Sequence, residues 1–175
     1  GLLVGCNYAK GLSIINNKPF LSINHLQGHV LVSRMYKKTN FPFLCLLVSG
    51  GHSLILLVEN FNKFKILGQS IDDAVGEAFD KTAKLLGLGY PGGPLIEKLA
   101  KKALGKKEFN LPRPLINDKT MNLSFSGLKT SVRRIIENNI SQSEKADLAY
   151  EFQKSITECL LKKVMLAIES SKHYK

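Results

Sequence analysis

The sequence predicts an α/β protein, and two observations carry that expectation. Three short apolar runs of β type crowd into residues 43–68, separated by turn signals, and four longer stretches with helical spacing follow between residues 73 and 171. Strands followed by helices fit an α/β or α+β arrangement, with no internal repeat or low-complexity tract to suggest a solenoid. Composition agrees, since 44% hydrophobic and 22% charged residues exclude a disordered or collagen-like chain. No apolar run approaches the roughly 20 residues of a membrane-spanning helix, so no membrane partner is expected.

Residues 1–10 read as the end of a small-residue helix, 19–23 as a short strand, and 25–36 as a helix with Leu26, Val30, Leu31 and Met35 as its apolar positions. The polar residues 37–40 form a connector and set a boundary, giving units 1–40 and 41–175. Strands are expected at 43–49, 53–58 and 64–68. Gly50-Gly51 and Asn60-Phe61-Asn62 are the turns between them. Helices are expected at 73–86, 94–104, 127–139 and 143–171, the last opening near a capping Ser143 and carrying Leu148, Phe152, Ile156, Leu160, Val164 and Leu166.

The 175 residues hold 25 Lys and Arg against 14 Asp and Glu, a formal charge of +11. Residues 1–100 carry ten cations against six anions, and residues 101–175 fifteen against eight. The excess gathers in Lys101, Lys102, Lys106, Lys107, Arg113, Lys129, Arg133 and Arg134. Either these residues solvate helix faces or they bind a polyanion. Cys6, Cys45 and Cys159 are an odd, widely spaced set, which disfavours a disulfide framework or zinc ribbon and fits a reducing compartment. The first residue is Gly1, with no targeting signal, so the chain reads as part of something longer.

Five stretches can carry chemistry. His25 and His29 stand four apart, which on a helix puts two imidazoles on one face, as a divalent metal requires; otherwise they are two surface histidines. Leu26 and Gln27 follow His25, so the carboxylate base of a zinc peptidase is missing and a metal that holds a substrate group is preferred. A third ligand, expected to be a carboxylate, must come from elsewhere. Ser49-Gly50-Gly51-His52 between two strands offers backbone amides to an anion, or is a hairpin that needs glycine for positive φ. Residues 72–80 hold Asp72, Asp73, Glu77 and Asp80; if Asp73 opens a helix, Glu77 and Asp80 share its face and could receive ribose hydroxyls or a metal, while a helix-dipole role explains Asp72 and Asp73 well and Asp80 poorly. Gly92-Gly93 before a helix opening at Pro94, and Ser124–Thr130 before a basic helix, each let backbone approach a ligand. Together these turns around one acidic helix suggest a nucleotide-sized cleft.

Taken in order, Asn24–His29, Val48–His52, Ser70–Lys81, Leu85–Pro94 and Ser124–Thr130 closely resemble the bacterial TsaD-type family of tRNA threonylcarbamoyladenosine synthases, once labelled O-sialoglycoprotein endopeptidases. The resemblance covers essentially the whole chain. It implies a two-lobed actin-like ATPase fold of the sugar kinase and Hsp70 kind, here incomplete. Residues 1–40 would end the first lobe, and 41–175 would begin the second with a helical insertion. The implied activity moves threonylcarbamoyl from threonylcarbamoyl-AMP to the adenosine beside the anticodon of tRNAs that read codons beginning with A. By the same likeness His25 and His29 match metal ligands for iron or zinc. Val48, Ser49, Gly50, Gly51 and His52 match a substrate-contacting loop, and Asp80, Gly93 and Glu97 match nucleotide-contacting positions, with an ATP-type nucleotide as a further ligand. Implied partners are tRNA, an actin-like paralogue subunit and a P-loop ATPase subunit, in the cytoplasm or, for an organellar homologue, the mitochondrion. Gln27 stands where relatives often have Glu, and the family's phosphate-loop strand and the aspartate completing its metal site fall outside these residues. A glycoprotein-cleaving metallopeptidase and an inactive tRNA- or partner-binding scaffold are the competing readings.

Overall fold

The computed structural model describes residues 2–36 and 39–171. The chain divides into two compact units, Gly1–Thr39 and Asn40–Lys175. Of the expected connector, residues 37 and 38 lie outside the described residues.

In the first unit α1 spans Leu2–Ile15, past the expected end at residue 10. It stops where Asn17 takes φ of 49° and Lys18 N–H and Asn17 N–H return to the Ser13 and Ile14 carbonyls, a Schellman closure. The strand expected at 19–23 is not formed: the segment has no regular structure and pairs with no strand among the described residues, and β propensity without a partner does not make a strand. α2 (His25–Leu31) and α3 (Ser33–Tyr36) replace the single expected helix, separated by Val32. Asn24 caps α2, its side-chain oxygen accepting from Leu26 N–H at 2.9 Å and Gln27 N–H at 3.2 Å.

The second unit opens with β1 (Phe43–Val48), β2 (Ser53–Asn60) and β3 (Lys63–Gln69), one antiparallel sheet in sequence order. Val48 pairs with Ser53, so residues 49–52 are the hairpin loop. β2 is central, and its residues 53–58 are all buried. α4 (Val75–Leu85), α5 (Gly92–Ala100), α6 (Ser126–Ile136) and α7 (Gln142–Ser171) enclose the core, where Ala78, Ile96, Phe125, Leu128, Leu148 and Phe152 are fully covered. α4 starts at Val75 and not at Asp73, and α5 at Gly92 and not at Pro94. α7 is capped by Ser141 in place of Ser143: its hydroxyl accepts from Glu144 N–H, and Glu144 reaches back to Ser141 N–H at 2.7 Å, a capping box.

Between α5 and α6 lies a long stretch without regular structure, which stays in place only if something else holds it. α7 does so. Asp147 accepts from the Leu104, Gly105 and Lys107 amides at 2.8–3.1 Å, and Arg113 pairs with Glu151 and Glu158. Further along, Ser155 donates to the Pro112 carbonyl and buried Lys163 to the Asp118 and Thr120 carbonyls at 2.7 Å. Burial pulls the Lys163 ammonium below the usual lysine range. The far end of the stretch is tied to β3, where Leu123 N–H donates to the Gln69 carbonyl. No helix among the described residues is long and apolar enough to cross a membrane.

Candidate functional site

In the first unit, the cap at Asn24 makes His25 the first residue of α2 and puts His29 one turn later. Both are exposed, and their Nε2 atoms approach to 3.1 Å with the rings edge to face. Two ring nitrogens turned toward one point are the donor set a borderline divalent cation takes, with metal–nitrogen bonds of about 2.0–2.1 Å. No cluster of three His, Cys, Asp or Glu occurs among the described residues. The pair thus fits part of a metal site, and α2 carries no carboxylate to serve as a peptidase base.

In the second unit, the hairpin loop is closed by its own atoms: Ser49 N–H donates to the His52 carbonyl at 2.8 Å, and His52 N–H to the Ser49 hydroxyl at 3.0 Å. Neither Gly50 nor Gly51 has positive φ, so the turn does not need glycine for its backbone. A Cβ at either position would meet nothing, and neither amide finds a hydrogen-bond partner among the described residues. Val48, Gly50, Gly51 and His52 are exposed beside them.

α4 sets this loop. Its first amides go to the hairpin, Val75 N–H to the buried Ser53 hydroxyl at 2.8 Å and Gly76 N–H to the Ser49 carbonyl at 3.2 Å. A Cβ on Gly76 would lie 2.7 Å from both Gly50 Cα and the Ser49 carbonyl oxygen, so only glycine permits the approach. One turn on, Asp80 Oδ1 accepts from Gly92 N–H at 2.7 Å and holds the N-terminus of α5. Gly92 is itself in close contact, its notional Cβ 2.6 Å from Asp80 Cα. Gly76 and Asp80 are four apart and share a helix face with about 6 Å of rise between them, so α4 meets the hairpin loop and the start of α5 one turn apart on one side. On that side the Gly50, Gly51 and Gly93 amides and Asp80 Oδ2 have no partner among the described residues.

The other acids are engaged within the chain, whereas the expectation set Glu77 and Asp80 on one face to receive ribose hydroxyls or a metal and gave Asp72 and Asp73 to a helix N-terminus. Asp72 accepts from the Ser124 and Ser126 hydroxyls at 2.5 and 2.9 Å and from the Phe125 and Ser126 amides at 2.8 and 3.3 Å, and so closes the N-terminus of α6. Burial pushes its carboxyl up, but these hydrogen bonds outweigh it and the pKa falls below the usual range. Asp73 and Glu77 both hold Lys81, at 2.6 and 2.9 Å, and Asp73 Oδ2 is enclosed. The α5 and α6 helix starts, expected to face a ligand, are thus occupied at Gly92 and at Phe125-Ser126 by the chain's own carboxylates. Glu97 stands apart: it pairs with Lys101 at 2.6 Å and lines a cleft of about 550 Å³ with Ala100, Asp147 and Tyr150.

A family model described as tRNA N6-adenosine threonylcarbamoyltransferase, TsaD, matches residues 1–175. The chain belongs to the TsaD family. Curated relatives carrying that name include those of Pelagibacter ubique, 49% identical over 171 residues, and Bartonella henselae, 50% identical over 172 residues. A third, from the Wolbachia of Brugia malayi, is 47% identical over 169 residues. These matches cover 96–98% of this chain and 47–50% of the relatives, so the chain spans about half the length of the TsaD proteins it matches.

Sequence reasoning missed the roles of Ser53 and Gly76, and read Gly92 as facing a ligand where it packs on Asp80; the three hold the loop and α5 against α4. A signal existed for Gly76, since glycine inside a helix costs about 1 kcal/mol relative to alanine and needs a reason.

Proposed function

We propose that this chain supplies the metal-binding histidines and the nucleotide-holding surface of a tRNA N6-adenosine threonylcarbamoyltransferase. The observation that carries the reading is the row of unpartnered groups along α4: three glycine amides as donors and one carboxylate oxygen as acceptor. Threonylcarbamoyl-AMP presents the complement, a phosphate and carbonyl that accept and a ribose diol that donates. In the reaction the exocyclic amine of adenosine attacks the carbamoyl carbon, a C–N bond forms, and the C–O bond to phosphate breaks as AMP leaves with its negative charge. The nitrogen releases its proton to solvent. Such a step needs a fixed leaving group and a polarised carbonyl more than a strong base. The Gly50 and Gly51 amides hold anionic oxygen, Asp80 Oδ2 accepts from a ribose hydroxyl and Gly93 N–H donates to the nucleotide, with Val48, Ser49 and His52 flanking the loop. Glu97 is the outlying member of this set.

His25 and His29 would hold iron or zinc, which when bound polarises or anchors the threonylcarbamoyl group. The pair needs a further ligand, since no cluster of three His, Cys, Asp or Glu occurs among the described residues. In the same reading the units belong to an actin-like fold, the acceptor is the adenosine beside the anticodon, and an actin-like paralogue and a P-loop ATPase assist in the cytoplasm.

Calorimetry on the purified chain tests the binding parts separately. AMP should bind and Asp80→Ala should weaken it roughly tenfold, the loss of one charge-assisted hydrogen bond. Zinc should bind and His25→Ala with His29→Ala should abolish it without changing AMP binding. Unaltered AMP affinity in the Asp80 variant removes the nucleotide assignment, and unaltered zinc affinity in the double variant removes the metal assignment.

A further inference from the structure

Of the cations in residues 101–134, Lys102, Lys106 and Lys119 are exposed, lie outside the helices and form no ion pair among the described residues, and the other six fall into two sets. Lys101 is held by Glu97 and Lys107 by Glu144, each at 2.6 Å, and Arg113 by Glu151 and Glu158 at 2.5 and 2.7 Å. Their charge is matched locally and their side chains are committed. Lys129, Arg133 and Arg134 on α6 form no ion pair or side-chain hydrogen bond among the described residues. Glu77, close enough to feel Lys129, is itself taken by Lys81 at 2.9 Å.

The construction of α6 turns these three toward solvent. Leu128 and Val132 are buried on its inner face, which leaves Arg133 and Arg134 exposed and Lys129 half-exposed. Lys129 and Arg133 stand one turn apart. The Thr130 and Ser131 hydroxyls bond back to the Ser126 and Gly127 carbonyls, and the helix N-terminus is closed by Asp72. Residues 119–136 contain no acid. Glu137, the exposed C-cap one turn beyond Arg133, forms no ion pair among the described residues, so the outer face sets three cations, two of them guanidinium groups whose planar forks match phosphate oxygens, against one carboxylate at its end.

We propose that the outer face of α6, through Lys129, Arg133 and Arg134, is where the sugar-phosphate backbone of the RNA substrate docks, an assignment that rests on the transferase reading above. Lys107 and Arg113 hold the loop to α7, Lys101 is paired with Glu97 on α5, and all three contribute little to RNA.

Two variants of equal charge change separate this from a general effect of net charge. Fluorescence anisotropy follows a labelled tRNA transcript binding to the chain between 50 and 200 mM salt, where log affinity falls linearly with log salt. Arg133→Ala with Arg134→Ala should lower affinity roughly tenfold and reduce the salt slope by about two, one for each lost phosphate contact. Lys101→Ala with Lys107→Ala should leave affinity and slope within about twofold of the parent, because those ammonium groups are already neutralised. The charge-keeping pair Arg133→Lys with Arg134→Lys should recover the slope, which a misfolded helix would not. Equal losses in the two alanine pairs, or none in the arginine pair, would overturn the α6 assignment while leaving the transferase reading intact. A parent chain that binds no tRNA overturns both.

Discussion

Gly76 shows how one absent side chain can set a binding loop. Its contact with the Ser49-Gly50 backbone leaves no room for a methyl group, since the atoms met are backbone and cannot rotate aside. Gly76→Ala should push the hairpin loop from α4 at a cost of about 1–3 kcal/mol in urea unfolding, the usual range for overpacking. AMP affinity should fall with it; unchanged stability and affinity together would show that the loop does not depend on this contact. The residues proposed to touch a ligand stand out in the sequence, His25 and His29 by their spacing and Gly50-Gly51 by lying between two apolar runs. Asp72 does not. Its partners at Ser124–Ser126 are about 50 positions away, and only the folded chain shows that an acid read as helix-favouring for α4 in fact closes α6.

Helix α7 shows what an apolar pattern can and cannot reveal. The existence and length of α7 follow from its periodicity, and Leu148, Phe152 and Ile156 are buried as expected. Beyond them the buried stripe runs through Ser155, Cys159, Lys163 and Ala167, and not through Leu160, Val164 and Leu166, which are only half-buried. The helix covers a polar loop there, so a hydroxyl and an ammonium are what its carbonyls require. Pattern reasoning seeks hydrocarbon and passes over such positions. At the other end, the capping box makes a pH prediction. A hydrogen bond from Lys107, then those from the Ser141 amide and hydroxyl, lower Glu144 to about 2 from an ordinary 4.5. A carboxyl depressed on folding contributes stability above its unfolded pKa and loses it as pH falls through the folded value. Thermal unfolding between pH 5 and about pH 2 should therefore decline less steeply in Glu144→Gln than in the parent, and parallel profiles would show that Glu144 takes no part in acid unfolding.

At the scale of the whole molecule, the net charge of +11 pointed to a polyanion but did not say where one binds. The ion pairs divide that charge into cations that brace the fold and cations that face outward, and pairing across 37–45 positions is invisible to a charge count. The α/β class and the three-stranded sheet were legible because strands and helices occupy separate stretches of the chain. The relation to a complete transferase depends on more than these residues, since the chain spans about half of its relatives. A graft tests the central claim most directly. Residues 1–175 replace the matched segment of the Pelagibacter ubique relative, and the purified chimera receives tRNA, threonylcarbamoyl-AMP and a divalent metal. Mass spectrometry of the digested tRNA should detect threonylcarbamoyladenosine, and His25→Ala with His29→Ala in the graft should abolish it. A folded, metal-loaded chimera that leaves the adenosine unmodified, or a double variant that modifies it at the parental rate, would contradict the account.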